Sequence, residues 1–370
     1  MKPYIPKELP LSTIDFRRHF KAVGESNAEL ARLDGLLQGL PLPELLLSPL
    51  INEEALLSSR IEGTQATITD VLKYDAGNKK AIEQQDDVHE VINYRNTMKF
   101  AGRQLTERPL SLGLIREMHQ MLMDGTRGAE KFPGMFRTKQ NYIGRPGATI
   151  EEATFVPPDP IRLQSDLESW ERYVTGNDVE ILLQCSIVHA QFELLHPFND
   201  GNGRVGRLLI PLFLYQKKKL SMPAFYISGF LEKNREDYYK ALRLISLHDD
   251  WDTWIEFFLL AVIQQAKTNS TIVKKILSLY EDMKNKIQVT THSQYTVNIL
   301  DFLFSNPMFQ GNSFLKGSNI AKKTANKLLF QLKKAGIIQE SEPKHGRTPA
   351  TLIFKELLDI IEGIVPTIQD

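Results

Sequence analysis

The sequence predicts a mainly α-helical protein with one β-hairpin in its middle and a winged helix-turn-helix unit at its C-terminal end. Three observations carry this prediction. Apolar residues recur every three or four positions through most of the chain, and two β-tolerant stretches flank a turn rich in Gly and Pro between residues 136 and 158. Near the end, three short helical patterns precede two short apolar runs around a polar loop. At 370 residues, two or three domains are expected.

In order along the chain, the helical spacing covers Phe16 to Gln38, Ser48 to Ile61, Thr67 to Tyr74 and Asp87 to Phe100. Ser48-Pro49 supplies an N-cap followed by Pro at the first helical position, and Gly63 can end that helix in a left-handed turn. Ser111 caps Leu112 to Met123. The predicted hairpin has Phe136 to Gly144 as one limb, Arg145-Pro146-Gly147 as its turn and Ala148 to Val156 as the other limb. Helices resume over Ile161 to Val174, Val179 to Leu195, Arg204 to Leu220, Asn234 to Ile245 and Trp251 to Gln265, and Ala266 to Ile287 is polar enough to bridge domains. The last unit has helices at Tyr295 to Phe304, Asn312 to Lys316 and Asn319 to Ala335, then strands at 336–340 and 350–354 around the polar loop Glu342 to Pro349. The domain boundaries expected are 1–105, 106–265, 266–290 and 291–370.

Composition narrows the classes. With 45 basic and 45 acidic residues the net charge is zero, so no global field draws the chain to nucleic acid or an anionic membrane. The longest apolar runs fall well short of the roughly 18 to 20 residues that span a bilayer, and the proline-rich start is unlike a signal peptide, which points to the cytoplasm with no membrane partner. Cys185 is the single cysteine, so an intrachain disulfide is excluded, and its apolar surroundings suit burial.

The chemistry concentrates in His196-Pro197-Phe198-Asn199-Asp200-Gly201-Asn202-Gly203-Arg204-Val205-Gly206-Arg207. One helix must stop before Pro197 and another follows at once, so a tight loop joins them. Gly201 and Gly203 let the backbone approach a ligand, and the unpaired N–H groups at the next helix start form an anion cradle. Asp200 supplies a hard oxygen for a divalent cation, Asn202 a donor to a phosphate oxygen, and Arg204 and Arg207 two guanidinium groups three residues apart. His196 is a base near neutral pH, and Phe198 suits a core anchor. Together these describe a nucleotide phosphate site. The spacing leaves phosphoryl transfer, nucleotidyl transfer and plain binding open.

This stretch resembles the motif of the Fic domain family, H-x-F-x-[DE]-G-N-G-R-x-x-R, at every defining position. The resemblance covers roughly Leu110 to Ala261 as a helical Fic core with a β-hairpin flap, and the flanking regions look like those of multidomain bacterial Fic proteins that transfer AMP. It implies that His196 takes a proton from a target hydroxyl. It implies that Asp200 binds Mg²⁺ (or Mn²⁺) on ATP, that Gly201, Asn202 and Gly203 form the anion hole, and that Arg204 and Arg207 hold the β- and γ-phosphates. The product would be an AMP-modified Ser, Thr or Tyr on an unidentified target protein, with self-modification and a homodimer also consistent with the resemblance. Related Doc-type kinases carry Lys where Gly203 stands, which favours AMP transfer. Asn141, Tyr142 and Ile143, with Thr154, Phe155 and Val156, fit the flap that pairs with an extended target segment. Upstream, Ser58-Ser59-Arg60-Ile61-Glu62-Gly63 fits the family's inhibitory pattern [ST]-x-x-x-E-[GN]. Ser58 and Glu62 lie one turn apart, and Glu62 would pair with Arg207 and keep ATP in an unproductive pose.

Two further readings stay open. Between Ser318 and Ala335 stand Lys322, Lys323, Lys327, Lys333 and Lys334 with no acidic residue, and Lys344 and Arg347 lie in the wing. Such a helix and wing suit phosphate contacts on DNA, although no pattern for reading bases stands out, so a DNA-binding regulator that uses the core as a nucleotide sensor is the alternative. Removal of AMP from a modified target would use the same pocket.

Overall fold

The computed structural model describes residues 2–12, 14–78, 82–126, 130–145, 147–342 and 349–363. Helices dominate: α1 (Phe16–Gln38), α2 (Pro43–Leu46), α3 (Ser48–Ile61), α4 (Ile68–Asp75), α5 (Gln85–Gln104) and α6 (Leu112–Leu122) precede the irregular 130–158 segment. After it come α7 (Pro160–Thr175), α8 (Ile181–Leu195), α9 (Asn202–Gln216), α10 (Ser228–Lys233), α11 (Arg235–His248) and α12 (Trp251–Thr291). The C-terminal unit runs α13 (Thr296–Ser305), β1 (Met308–Gln310), α14 (Gly311–Gly317), α15 (Lys322–Lys334), β2 (Gln339–Glu342), β3 (Thr351–Ile353) and α16 (Lys355–Glu362).

Burial explains the arrangement. Thirteen of the fifteen residues of α8 and twelve of the fifteen of α9 are buried, so this pair forms the centre on which the other helices are layered. Cys185 is buried among them. Helix α1 lies along α12, and α3 packs between α5 and α10. A carboxylate reinforces that packing: Glu54 of α3, buried, accepts from the Ser228 backbone N (2.9 Å) and Oγ (2.6 Å) at the start of α10 and from the Tyr94 hydroxyl of α5 (3.0 Å). Helix α12 has 41 residues and reaches about 60 Å at 1.5 Å per residue, running through residue 265 without a break. It packs on α1, α8 and α11 and also on α13, α15 and α16 of the C-terminal unit. No helix among the described residues is long and apolar enough to cross a membrane.

Several boundaries differ from the sequence expectations. Helix α3 begins on Ser48 with Leu47 as its N-cap and Pro49 inside the first turn, so Ser48 does not cap it. Helix α9 starts two residues earlier than Arg204 and ends at Gln216. The expected hairpin shrinks to one antiparallel bridge, Ile143 with Phe155, and a single 3₁₀ turn, Ile150–Glu152, interrupts its second limb. Pro146 of its turn lies outside the described residues. In the C-terminal unit the sheet has three strands in the order β1-β3-β2, all antiparallel, with Phe309 opposite Leu352 and Gln339 opposite Ile353. Lys344 and Arg347 lie outside the described residues.

Replacing Glu54 by Ala leaves the Ser228 N–H and the Tyr94 hydroxyl buried without an acceptor. The expected loss is roughly 2–4 kcal/mol of unfolding free energy, read from urea denaturation, with Tyr94→Phe costing about 1 kcal/mol.

Candidate active site

Pro197 stops α8, and His196 takes the left-handed conformation at its C-cap (φ 45°). The loop then turns through Gly201 (φ 74°), which also precedes α9 as an N-cap that offers no side chain. A Cβ at Gly201 would stand 2.8 Å from Met123 Sδ, so both its conformation and its close approach require glycine. The first amides of α9 therefore face the loop without a side-chain cap, at the positive end of the helix dipole.

Side chains from distant elements fix this loop. Phe198 is fully buried and stacks on His119 of α6 with ring centroids 3.7 Å apart. His119 Nδ1 accepts from the Gly134 N–H (2.8 Å), so Nε2 carries the proton and donates to the Asp200 carbonyl (2.9 Å). Burial lowers the His119 pKa to about 4, which keeps the ring neutral. Arg137 donates to the carbonyls of His196 (2.9 Å) and Pro158 (2.6 Å), and Asn141 Nδ2 donates to the Phe198 carbonyl (3.1 Å). None of His119, Gly134 or Arg137 was singled out from sequence: His119 and Arg137 act on loop residues 81 and 59 positions away, and Gly134 acts through His119, 15 positions away.

His196 Nδ1 stands 3.3 Å from the Glu193 carbonyl, an acceptor only, so Nδ1 holds the proton and Nε2 is the free base. Burial pushes its pKa down to about 4, against raising contributions from the Glu193 carbonyl, Glu62 and Asp200. It lines a cleft of about 810 Å³ together with Gly203, Arg207, Glu62 and the flap residues Tyr142, Ile143, Thr154 and Phe155.

Arg207 is fully buried. Its Nε donates to Ser58 Oγ (2.8 Å), and its Nη2 donates to the Ser58 carbonyl (2.9 Å) and to Glu62 Oε1 (2.7 Å). Burial works against the guanidinium charge, and the Glu62 carboxylate together with Tyr238, Tyr239 and Glu193 more than offsets it. The same carboxylate presses on the start of α9: a Cβ at Gly203 would lie 2.2 Å from Glu62 Oε1. Glycine at 203 thus makes room for Glu62, and any larger residue there displaces it.

Other expected site residues lie elsewhere. Arg204 does not join Arg207; its Nη1 is 3.3 Å from Glu90 of α5, and its Nη2 touches Met123 Sδ. Asn202 does not offer its amide to a ligand, because Oδ1 accepts from Phe198 N (2.8 Å) and Nδ2 donates to the Phe198 carbonyl (2.9 Å). Asp200 Oδ1 accepts from Gly201 N (2.6 Å) and Oδ2 pairs with Lys131 (3.0 Å). Burial raises the Asp200 carboxyl, but the Lys131 ammonium, with the Gly201 N–H and Arg204, outweighs it and holds the group below the usual carboxylate range. Val156 is buried, and its carbonyl accepts from Tyr4 N (2.9 Å), so it presents no free edge. Asn141 serves the loop rather than the cleft.

Sequence reasoning missed the cleft's far wall, Glu236, Tyr239, Lys240 and Arg243 of α11. Their three- and four-residue spacing marks one polar helix face, but nothing local ties that face to the motif. It also missed Glu193, a cleft residue whose carboxyl Oε1 is buried without a hydrogen-bond partner and whose pKa burial raises to about 7.

Two family patterns match the chain: the Fic/DOC family N-terminal pattern over residues 20–103 and the Fic/DOC family pattern over residues 109–214. Together they take in just over half of it. The chain belongs to the Fic/DOC family. Among curated Fic relatives, a probable protein adenylyltransferase of Aquifex aeolicus (strain VF5) is 29% identical over 209 residues, 54% of this chain and 56% of that protein. Protein adenylyltransferase fic-1 of Caenorhabditis elegans is 28% identical over 165 residues, 44% of this chain and 30% of that protein. The chain therefore spans about three tenths to a little over half the length of these relatives. Of solved Fic structures, a Fic family protein from Desulfovibrio desulfuricans G20 superposes with a TM-score of 0.55 at 19% identity, covering 96% of this chain and 98% of that one. A Fic domain containing signaling protein from Bacteroides thetaiotaomicron VPI-5482 gives 0.54 at 18%, over 68% and 97%. These two likenesses establish a shared fold.

The loop's dependence on Asn202 is directly measurable. Asn202→Ala leaves the Phe198 N–H and carbonyl with one fewer partner each inside the core. Unfolding free energy is expected to fall by about 1–3 kcal/mol, followed by chemical denaturation.

Proposed function

We propose that this Fic protein is a protein adenylyltransferase that moves AMP from ATP to a Ser, Thr or Tyr hydroxyl of a target protein and of itself, and that Glu62 holds it off. The observation that carries this reading is the single cleft shared by a neutral base, His196, a glycine-lined helix start at Gly203 and a buried guanidinium, Arg207, with the Glu62 carboxylate seated against the last two. An anionic group already occupies the position where a phosphate would meet both the α9 dipole and Arg207.

In the reaction, the target hydroxyl gives its proton to His196 Nε2 as its oxygen attacks the α-phosphorus. The bond from that phosphorus to the pyrophosphate oxygen breaks, and Arg207 stabilises the charge that develops on the leaving group. The first amides of α9 orient the phosphate being transferred. Tyr142, Ile143, Thr154 and Phe155 form the side of the cleft where an extended target segment would lie.

The residues also fit a divalent cation. Asp200 offers one half-exposed carboxylate whose present partner, Lys131, is itself exposed, and no group of three or more His, Cys, Asp or Glu side chains able to hold a metal occurs among the described residues. One carboxylate suits Mg²⁺ or Mn²⁺ taken up with ATP, since Mg²⁺ typically keeps phosphate and water ligands beside one or two carboxylates. When bound, the ion neutralises phosphate charge.

We read residues 291–370 as a winged helix-turn-helix whose charge best suits duplex DNA. The transfer chemistry does not require it.

Freed of the Glu62 carboxylate, Arg207 is open to the γ-phosphate. Glu62→Gly is expected to raise incorporation of labelled AMP at saturating ATP by at least about tenfold, which corresponds to a shift of about 1.4 kcal/mol between blocked and competent poses. Adding His196→Ala should cancel the gain while ATP still binds. Equal activity of Glu62→Gly and wild type would reduce the upstream pattern to an ordinary helix end.

The same variant sets the pH dependence. His196 must be neutral to accept a proton, and its pKa of about 4 lies well below the ordinary 6.5, so the base form persists as pH falls. Glu62 raises this pKa, so removing it moves the limb lower still. Single-turnover rates of Glu62→Gly should show no His196 limb from pH 8 to about pH 5.5, with Glu193→Gln added to remove the titration of Glu193 near 7 from the profile. A limb centred near 6.5 would show that the base is solvated.

A further inference from the structure

Helix α15 buries Ala325, Leu328 and Leu332 against the C-terminal core. Opposite them, Lys323, Asn326, Lys327, Phe330 and Lys334 follow one another at offsets of three, four, seven and eleven residues, which puts all five on one helical face. All five are exposed, and Phe330, the largest apolar side chain of the helix, stands 68% exposed at the middle of the stripe. Lys333, on the flank, is paired with Glu340 (3.3 Å). Lys323, Lys327 and Lys334 form no ion pair among the described residues, and no acidic residue occurs between positions 318 and 335.

The stripe sets unneutralised ammonium groups around one amide and one ring. It matches a polyanion with readable chemistry between its charges. We propose that this face of α15 enters the major groove of duplex DNA, with Lys323, Lys327 and Lys334 on phosphates and Asn326 and Phe330 toward the base edges. The major groove, about 12 Å wide, admits one α-helix. A carboxamide pairs in two points with adenine N6 and N7, and a phenyl ring packs on the thymine methyl, so the site read contains A·T pairs. Sequence alone hid this, because Asn326 and Phe330 become a pair only once their shared exposure is known. The inference rests on the winged-helix reading of residues 291–370 and is independent of AMP transfer.

Fluorescence anisotropy of the full chain with a labelled duplex of about 20 base pairs, from 50 to 200 mM KCl, tests it. Three phosphate contacts predict a slope of log affinity against log salt near −3, and the double variant Lys323→Ala, Lys327→Ala should remove about two units of that slope. Asn326→Ala and Phe330→Ala should leave the slope unchanged. Each should cut the preference for duplexes enriched from a randomised pool by about tenfold. His196→Ala should bind DNA like wild type, so failure of the transferase reading leaves this result intact. Because all these positions are exposed, unchanged circular dichroism and melting temperature establish that the variants fold. No binding at 50 mM KCl, or a slope insensitive to the lysine pair, overturns the proposal, and a pool without A·T enrichment overturns the base-reading roles. If Phe330→Asp instead converts a dimer to a monomer by light scattering while DNA binding is absent, the face belongs to a second copy of the chain.

Discussion

The buried guanidinium of Arg207 is the constraint around which the rest is arranged. A cation with no solvent exposure costs several kcal/mol unless it is paired and hydrogen-bonded, and α9 alone cannot supply partners. Helix α3 supplies them with its last turn: a hydroxyl and a carbonyl from Ser58 and a carboxylate from Glu62. The negative end of the α3 dipole faces the same charge. The 14-residue helix therefore has to end where it does, with Glu62 as its C-cap and Gly63 turning away at φ 99°. The N-terminal region and the α8–α9 pair are thus joined by an electrostatic contact as well as by packing.

A second set of contacts holds the motif loop rigid from behind. His119, Asn202, Asn141 and Arg137 satisfy the loop's own carbonyls and amides, so little of its backbone is left to wander. This division of labour explains why four of the six polar residues in the motif, Asn199, Asp200, Asn202 and Arg204, do not line the cleft. Asn202 and Arg204 build the loop and its backing, whereas His196, Gly203 and Arg207 line the cleft. Preorganisation of this kind is what lets a small number of groups act on a reacting phosphate.

What was legible in the sequence follows from how local each interaction is. Helices α1 and α3 have the boundaries that their apolar spacing indicates, because amphipathic periodicity is a property of a single segment. The pairing of Glu62 with Arg207 was reached through a motif, not through spacing, since 145 residues separate them. The hairpin was over-read: β-tolerant residues make a ladder only when a partner edge is available. Here Thr154 Oγ and Gln140 Nε2 instead hold the limbs through side-chain bonds to the Ile143 and Pro157 carbonyls. Strand β1 was missed for the converse reason. Its three residues become a strand by pairing with β3, more than forty positions on, and carry no pattern of their own. Glu90 and Lys131, the partners of Arg204 and Asp200, sit in segments whose local sequence says nothing of the motif.

The two ends of the Glu62–Arg207 pair are not equivalent, and the difference bears on how the cleft can open. Arg207 has no exposure, while the Glu62 side chain is 35% exposed. Moving Arg207 would strand a buried cation, whereas Glu62 can turn into water and regain its hydration. Withdrawing the whole of α3 is the costlier route. Eleven of its fourteen residues are buried, and Glu54 ties it to both α5 and α10. The least expensive motion is therefore a rotation of one side chain at the helix end, where the neighbouring Gly63 meets no atom within 4 Å of where a Cβ would stand. Such a motion leaves Ser58 in place on Arg207, so the guanidinium keeps its position and frees only the side that the carboxylate had covered. The fold thus separates the part of the contact that orients Arg207 from the part that occupies it.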